Sequence, residues 1–299
     1  MTVLEVISKS SEFLAKKGVD SPRLQTELLL AQVLQLPRMK LYLNFERKLA
    51  DTELDSLREL VKRRGQREPL QHLIGSTSFC GFEMAVNRHV LIPRPETELL
   101  AEAGWQFLST LNHLSRQSAA TADQLSTALD FGTGSGCIAI ALAAKCLSAR
   151  VVALDLSGEA LAIAQQNAAK NGVAARLEFR QSDGFAALKP DERFDLIVSN
   201  PPYIPSAEIE TLQPEVREHD PRSALDGGAD GLDFYHRLAA EAGAFLKPDG
   251  KLMLEFGEGQ ADAISAILVS QNWQIESVQP DYTKRLRFLV ARLGRTTGS

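Results

Sequence analysis

Ala128-Leu129-Asp130-Phe131-Gly132-Thr133-Gly134-Ser135-Gly136-Cys137-Ile138-Ala139 passes from one apolar run to another through alternating glycines. The first run is short and bounded like a strand, and the second continues to about residue 147 like a helix. Glycines at 132, 134 and 136 let the backbone pass close to a ligand without Cβ clashes. They also leave amide groups exposed at the start of a helix, where an electron-rich ligand is welcome. A strand, a glycine turn and a helix in that order open a parallel α/β sheet.

The rhythm continues downstream. Strands are predicted at about 127–131, 151–155, 176–180, 194–199 and 250–255, with helices at about 135–147, 158–171 and 231–246. Continuous apolar strands between amphipathic helices mean a sheet covered on both faces. The tail breaks the pattern. Ile275-Glu276-Ser277-Val278 and Leu286-Arg287-Phe288-Leu289-Val290 lie a short loop apart and read as antiparallel strands closing that sheet.

Upstream the period is helical. Val3, Ile7, Phe13 and Leu14 give a first helix that stops near Gly18. Ser21-Pro22 supplies an N-cap and first residue for a second, and Asp51 can cap a third that closes at Lys62-Arg63-Arg64-Gly65. Residues 70–90 switch to alternation like a β-hairpin, and Leu91-Ile92-Pro93-Arg94-Pro95 is stiff and extended. Thr97 can cap a helix reaching about residue 115, and the Ser/Ala/Thr-rich stretch 115–127 reads as a mobile connection. The expected organisation is a helical bundle over 1–69, a hairpin and proline linker over 70–95, and an α/β domain over 96–299.

Composition narrows the class. With 44% apolar and 24% charged residues in 299, a sizeable core is available. No apolar stretch reaches the roughly 18 residues of a membrane span, and the start lacks a signal-peptide pattern, so a cytoplasmic protein is expected. The three cysteines form no CxxC pair and the five histidines show no ligand spacing, so no metal is expected. Residues 1–75 carry 13 Lys/Arg against 10 Asp/Glu, and the remainder 20 against 28. That acidic remainder is a poor electrostatic match to a long duplex.

Several polar residues sit where these strands end. Asp155 closes the second strand about 20 residues beyond the glycines, where a carboxylate can hold ribose hydroxyls or simply cap the next helix. Ser182-Asp183 follows the third strand, and Asp183 either accepts from an adenine amine or caps its own loop. Asp130, just before the glycines, would sit badly beside a pyrophosphate, whereas a cationic sulfonium group such as that of S-adenosylmethionine would tolerate it. After the apolar strand Phe194-Asp195-Leu196-Ile197-Val198 comes Asn200-Pro201-Pro202-Tyr203. An amide acceptor, a fixed backbone and an aromatic ring at one point suit a planar amide or a nucleobase amine held for attack on an electrophile.

Together these segments resemble the class I S-adenosylmethionine-dependent methyltransferases, in the subset whose [Asn/Asp]-Pro-Pro-Tyr motif modifies amino groups on planar systems. Leu91-Ile92-Pro93-Arg94-Pro95-Glu96-Thr97-Glu98 and Ala224-Leu225-Asp226-Gly227-Gly228-Ala229-Asp230-Gly231-Leu232 narrow the resemblance to the peptide chain release factor glutamine methyltransferases. The resemblance implies a Rossmann-like catalytic domain behind a helical domain and hairpin, with S-adenosylmethionine as cofactor and class 1 release factors as protein partners. It implies Gly132, Thr133, Gly134, Ser135 and Gly136 as the cofactor loop, Asp155 on the ribose, and Asp183 and Gly184 near the adenine. Gly184 departs from the bulky residue that family members often carry there, so Phe185 or another group covers the adenine, or that contact is absent. Asn200, Pro201, Pro202 and Tyr203 would hold the glutamine of a Gly-Gly-Gln loop. The Asn200 side-chain oxygen and the Pro202 carbonyl would accept its two amide hydrogens, with Tyr203 stacked on or flanking the amide plane. Methylation of a ribosomal-protein glutamine, or of a nucleobase amine, remains open. Arg94 and Glu96 line the cofactor entrance or form ion pairs. Residues 215–220 and 226–228 are expected as a flexible wall of the substrate pocket or as a merely solvated loop.

Overall fold

The computed structural model of the chain describes residues 1–117 and 125–294, apart from the side chains of residues 114–117. The connection expected between 115 and 127 lies largely outside the described residues. The chain forms two compact units, Met1–Ser76 with Leu212–His219, and Thr77–Thr211 with Asp220–Ser299. Among the described residues no helix is long and apolar enough to cross a membrane.

The first unit is helical. Helices Val3–Lys16, Pro22–Leu34 and Asp51–Gly65 pack Val3, Ile7, Leu14, Leu29, Leu30 and Leu57 into one core. Two caps differ from expectation. Ser21 takes a left-handed conformation (φ 46°) that carries its hydroxyl away from the first amides, so Pro22 starts the helix without a side-chain cap. Asp51 is already inside its helix, and Glu53 reaches back to the Ala50 amide instead (2.9 Å). Leu70–Ile74 is a short helix rather than part of a hairpin, ended by Gly75 at φ 83°. Leu212–His219 joins this unit through Glu215, whose carboxylate meets Arg64 and Arg67 at 2.7 Å each.

The second unit carries the sheet. A two-stranded hairpin, β1 (Ser76–Phe79) and β2 (Phe82–Ala85), precedes the long helix Thr97–Gln117. Seven strands then form one sheet: β3 (Ser126–Phe131), β4 (Ala149–Asp155), β5 (Leu177–Gln181), β6 (Phe194–Ser199), β7 (Leu246–Glu255), β8 (Trp273–Pro280) and β9 (Leu286–Leu293). Their order is β5-β4-β3-β6-β7-β9-β8, parallel from β5 to β7 and antiparallel at β9 and β8. This is the Rossmann-like sheet with closing antiparallel strands that the sequence implies.

Alternation along the strands divides the core in two. Ala128, Val151, Leu196, Val198 and Met253 pack with helices Thr97–Gln117 and Cys137–Lys145 on one face. Leu129, Ile197, Leu252, Leu254 and Leu289 pack with Asp233–Glu241 and Ala261–Ser270 on the other. Periodicity assigns no element between 255 and 275, where Ala261–Ser270 buries Ala261, Ile264 and Leu268. A helix of ten residues with little polar contrast gives no readable stripe.

One buried side chain ties three elements of this unit together. Asn167, fully buried on helix Gly158–Lys170, accepts from the Ala85 amide (2.7 Å). Its amide nitrogen donates to the carbonyls of Ala85 (3.0 Å) and Ser135 (2.9 Å), joining β2 to the glycine loop. Asn167→Ala leaves those backbone groups unpaired and is expected to cost about 2–4 kcal/mol, read as a lower urea midpoint at unchanged slope. A midpoint equal to the parent's would show that water satisfies these groups as well.

Candidate active site

The parallel strands end on one side of the sheet, and a cavity of about 270 Å³ opens there. Its walls include Gly132 and Gly134 after β3, Asp155 at the end of β4, Asp183 and Gly184 after β5, and Asn200, Pro201 and Pro202 after β6. Ligands bind at this edge in open α/β sheets because the loops diverge there.

The glycine loop is built from inside. Gly132, Gly134 and Gly136 all have positive φ (72°, 54° and 81°), a conformation that costs other residues strain. A Cβ on Gly136 would sit 3.0 Å from that of Ala164, so this glycine serves helix packing. Thr133 and Ser135 are buried behind the loop, at 5% and 2% exposure, and do not line the cavity. Asp155 fixes the cavity side, its two oxygens accepting from the amides of Gly134 (2.8 Å) and Ser157 (2.9 Å). It therefore lines the cavity and orders the helix start at the same time, and burial raises its pKa.

Asp130 corrects one inference. Its carboxyl points away from the cavity into the core, where Oδ2 accepts from the Thr133 hydroxyl (2.6 Å) and the Ala139 amide (3.1 Å). Burial pushes its pKa up to about 7. The residue braces the loop from its core side and does not line the cavity, so its position does not by itself select a cationic group.

The cavity wall beside Gly184 is built by another segment. Phe185 is buried in the core, stacked on Phe245 at 5.2 Å and against Phe131 at 4.9 Å, so it cannot cover the cavity. Arg237 takes that place. A Cβ on Gly184 would fall 2.1 Å from its Nη2, and the guanidinium is held by the Asp183 carboxylate (2.5 Å) and Glu241 (3.2 Å). Asp183 is thus the partner of an arginine on the cavity wall.

The loop after β6 is held by other segments because its prolines cannot donate. The Ser199 hydroxyl donates to the Phe131 carbonyl (2.7 Å), and Asn200 Nδ2 donates to Thr97 Oγ1 (3.1 Å). Ile204 pairs with the segment after Leu225, its amide donating to the Leu225 carbonyl and its carbonyl accepting from Gly227, each at 2.9 Å. Gln260 donates to the Tyr203 carbonyl (3.0 Å). Gly227 and Gly231 allow this contact: a Cβ on them would sit 2.8 Å from the Pro202 oxygen and 2.4 Å from the Tyr203 oxygen. Residues 226–228 are therefore bonded to the loop rather than loosely walling it. The Tyr203 ring does not line the cavity and packs with the core, beside Gly257. Arg94 forms an ion pair with buried Asp220 (2.7 Å).

Sequence reasoning missed Thr97 as a site residue, along with Arg237, Gln260 and the cavity-lining His89 and Phe234. The glycine spacing of 227–231 marked a tight segment but gave no hint of what it touches. Two family models match the chain, the PrmC N-terminal domain over residues 5–75 and the methyltransferase small domain over residues 107–214. The release factor glutamine methyltransferase of Geobacter sulfurreducens is 46% identical over 263 residues, covering 88% of this chain and 87% of its own. That of Chlorobaculum tepidum is 41% identical over 286 residues, covering 95% and 94%. Among solved structures, the human METTL16 catalytic domain, with a MAT2A 3'UTR hairpin, aligns at a TM-score of 0.52. It is 14% identical over 73% of this chain and 78% of that one, which is a likeness of fold.

The protonation of Asp130 has a measurable consequence. The folded protein holds a proton that the unfolded chain releases near pH 4, so this residue stabilises fully below that pH and less as pH rises to about 7. Asp130→Asn removes the titration. Between about pH 4.5 and 7.5 the parent is expected to lose stability relative to the variant, compared by urea midpoints. A constant difference across that range would mean that Asp130 is ionised in the folded protein.

Proposed function

This chain belongs to the release factor glutamine methyltransferase family, and we propose that it methylates the side-chain amide nitrogen of the glutamine in the Gly-Gly-Gln loop of class 1 peptide chain release factors, with S-adenosylmethionine as donor. The observation that carries the chemistry is Asn200. Its amide nitrogen is committed to Thr97, which leaves its oxygen as the end available to the cavity it lines.

The residues at the other end of the cavity fit the donor. Gly132 and Gly134 offer side-chain-free backbone, and Asp155 is a rigid carboxylate that would hold the ribose hydroxyls. Arg237 would face the adenine beside Gly184, where a planar guanidinium can stack on a planar base. When bound, S-adenosylmethionine supplies a methyl group made electrophilic by its sulfonium.

The protein's task is to make a poor nucleophile adequate. A carboxamide nitrogen shares its lone pair with its carbonyl, so orientation and polarisation have to supply the rate. The Asn200 oxygen and the Pro202 carbonyl would accept the two amide hydrogens and fix the nitrogen in line with the methyl group. The same acceptors meet the positive charge that develops on nitrogen as the N–C bond forms. Gly227 lets the supporting segment pack closely beside the Pro202 oxygen, where a Cβ would sit 2.8 Å away. No strong base is required, because the departing proton becomes acidic only as that bond forms. Tyr203 supports the loop from its core side in this reading, instead of stacking on the substrate amide.

The test is transfer of labelled methyl from S-adenosylmethionine to a purified release factor, beside a Gly-Gly-Ala version and mixed DNA. Label on the unmutated factor alone is expected, and equal label on the alanine version or on DNA would overturn the proposal. Asn200→Ala is expected to slow single-turnover transfer about 10²–10³-fold. A rate within twofold of the parent would remove Asn200 from the chemistry.

A further inference from the structure

Two segments far apart in the chain both line the cavity: His89, Val90 and Leu91 before the long helix, and Pro221, Ser223 and Ala224 beyond the loop after β6. Each is fastened at its own base. Val90 packs with Val86 and with Ala160 on helix Gly158–Lys170, which follows Asp155. The Leu225 carbonyl accepts from the Ile204 amide (2.9 Å), which ties the second segment to the loop carrying Asn200. One wall thus belongs to the Asp155 end of the cavity and the other to the Asn200 end.

Among the described residues no backbone hydrogen bond joins the two walls to each other. Prolines at 93, 95 and 221 remove three donors from them. A side-chain pair makes the connection instead. Arg94, just beyond the first wall, donates from Nη2 to Oδ2 of Asp220, the residue before Pro221 (2.7 Å). The Asp220 side chain is 1% exposed, and its Oδ1 is buried without a hydrogen-bond partner. Burial pushes its pKa up to about 6 and Arg94 opposes that, so near neutral pH the acid is charged and the guanidinium is its counterion. Arg94 is 35% exposed, so it can let go into water, whereas Asp220 has no such exit.

We propose that Arg94 and Asp220 are positioning residues that clasp the two walls and so hold S-adenosylmethionine, and after transfer S-adenosylhomocysteine, in the cavity. This rests on the reading of the cavity as the site of that donor. Neither side chain lines the cavity, so the pair acts through the walls it joins. An ion pair with one exposed partner can open without unfolding either wall, which a backbone ladder cannot do. Pro93 and Pro95 keep the segment around Arg94 stiff, so movement at the pair is passed on to Leu91.

The test binds labelled S-adenosylhomocysteine to the intact chain and chases it with excess unlabelled ligand, beside calorimetric Kd values. Arg94→Met keeps the apolar stem and removes the charge, whereas Arg94→Lys keeps the charge. Arg94→Met is expected to speed dissociation and raise Kd about 5–20-fold, with Arg94→Lys within about threefold of the parent. Arg94→Met alone also lowers the urea midpoint, because it leaves the Asp220 carboxylate buried without a counterion. Combining it with Asp220→Asn removes that stray charge, so the midpoint should recover towards the parent's while dissociation stays fast. Dissociation that recovers with the midpoint would overturn the proposal, as it would make the pair a matter of stability alone. A Kd for Arg94→Met within twofold of the parent, or a lysine variant as impaired as the methionine one, would overturn it too. If Arg94→Met does not fold, Asp220→Asn and the double variant decide, since neither leaves a buried charge. A parent that binds no S-adenosylhomocysteine defeats the functional reading, whereas a binding parent with an indifferent pair defeats this inference alone.

Discussion

The acidic groups at the carboxyl end of a buried parallel sheet govern the rest of this structure. Asp130, Asp155 and Glu255 stand at the ends of β3, β4 and β7, with Ser199 and Asn200 at the end of β6 between them. Each is withdrawn from water enough that burial raises its pKa. An acid so placed needs donors, and the nearest donors are the amides and hydroxyls of the loops that leave the strands. Asp130 recruits Thr133 and Ala139, and Asp155 recruits Gly134 and Ser157. These hydrogen bonds therefore set the loop conformations, and the cavity is the space those loops leave.

The proline pair imposes the complementary constraint. Pro201 and Pro202 cannot donate, so the loop after β6 has to be anchored through the residues on either side of them. Ile204 bonds to the Leu225–Gly227 segment and Gln260 takes the Tyr203 carbonyl. Backbone meeting backbone this closely leaves no room for a side chain, which explains glycine at both 227 and 231. Two motifs that are separate in the chain are one piece of structure, and the second motif exists to support the first.

Local chemistry was legible in the sequence and distant partnership was not. The strand–glycine–helix passage, the alternation of the strands and the acid at Asp155 report on themselves, because period and residue type are local properties. Asp130 misled because composition gives a charge but not its direction, and the core side was the one that had donors. Thr97 looked like a helix cap. Its hydroxyl accepts from Asn200, 103 residues away. The helix Ala261–Ser270 escaped notice because it is short and mostly apolar, and Leu70–Ile74 because five residues hold too little periodicity to separate from a strand.

Gly184 shows how a departure from pattern can be a substitution of partners. A bulky residue there would have to fill the space beside the cavity from β5's own loop. Here the left-handed glycine (φ 59°) yields that space to Arg237, which reaches it from helix Asp233–Glu241. The guanidinium offers a flat face like an aromatic ring, but it also carries charge, and Asp183 and Glu241 neutralise it in place. Position 184 and position 237 are therefore coupled: a side chain at the first would displace the second and strip Asp183 of its partner. The wall of the cavity keeps its shape only if both residues change together, so neither position can be read alone.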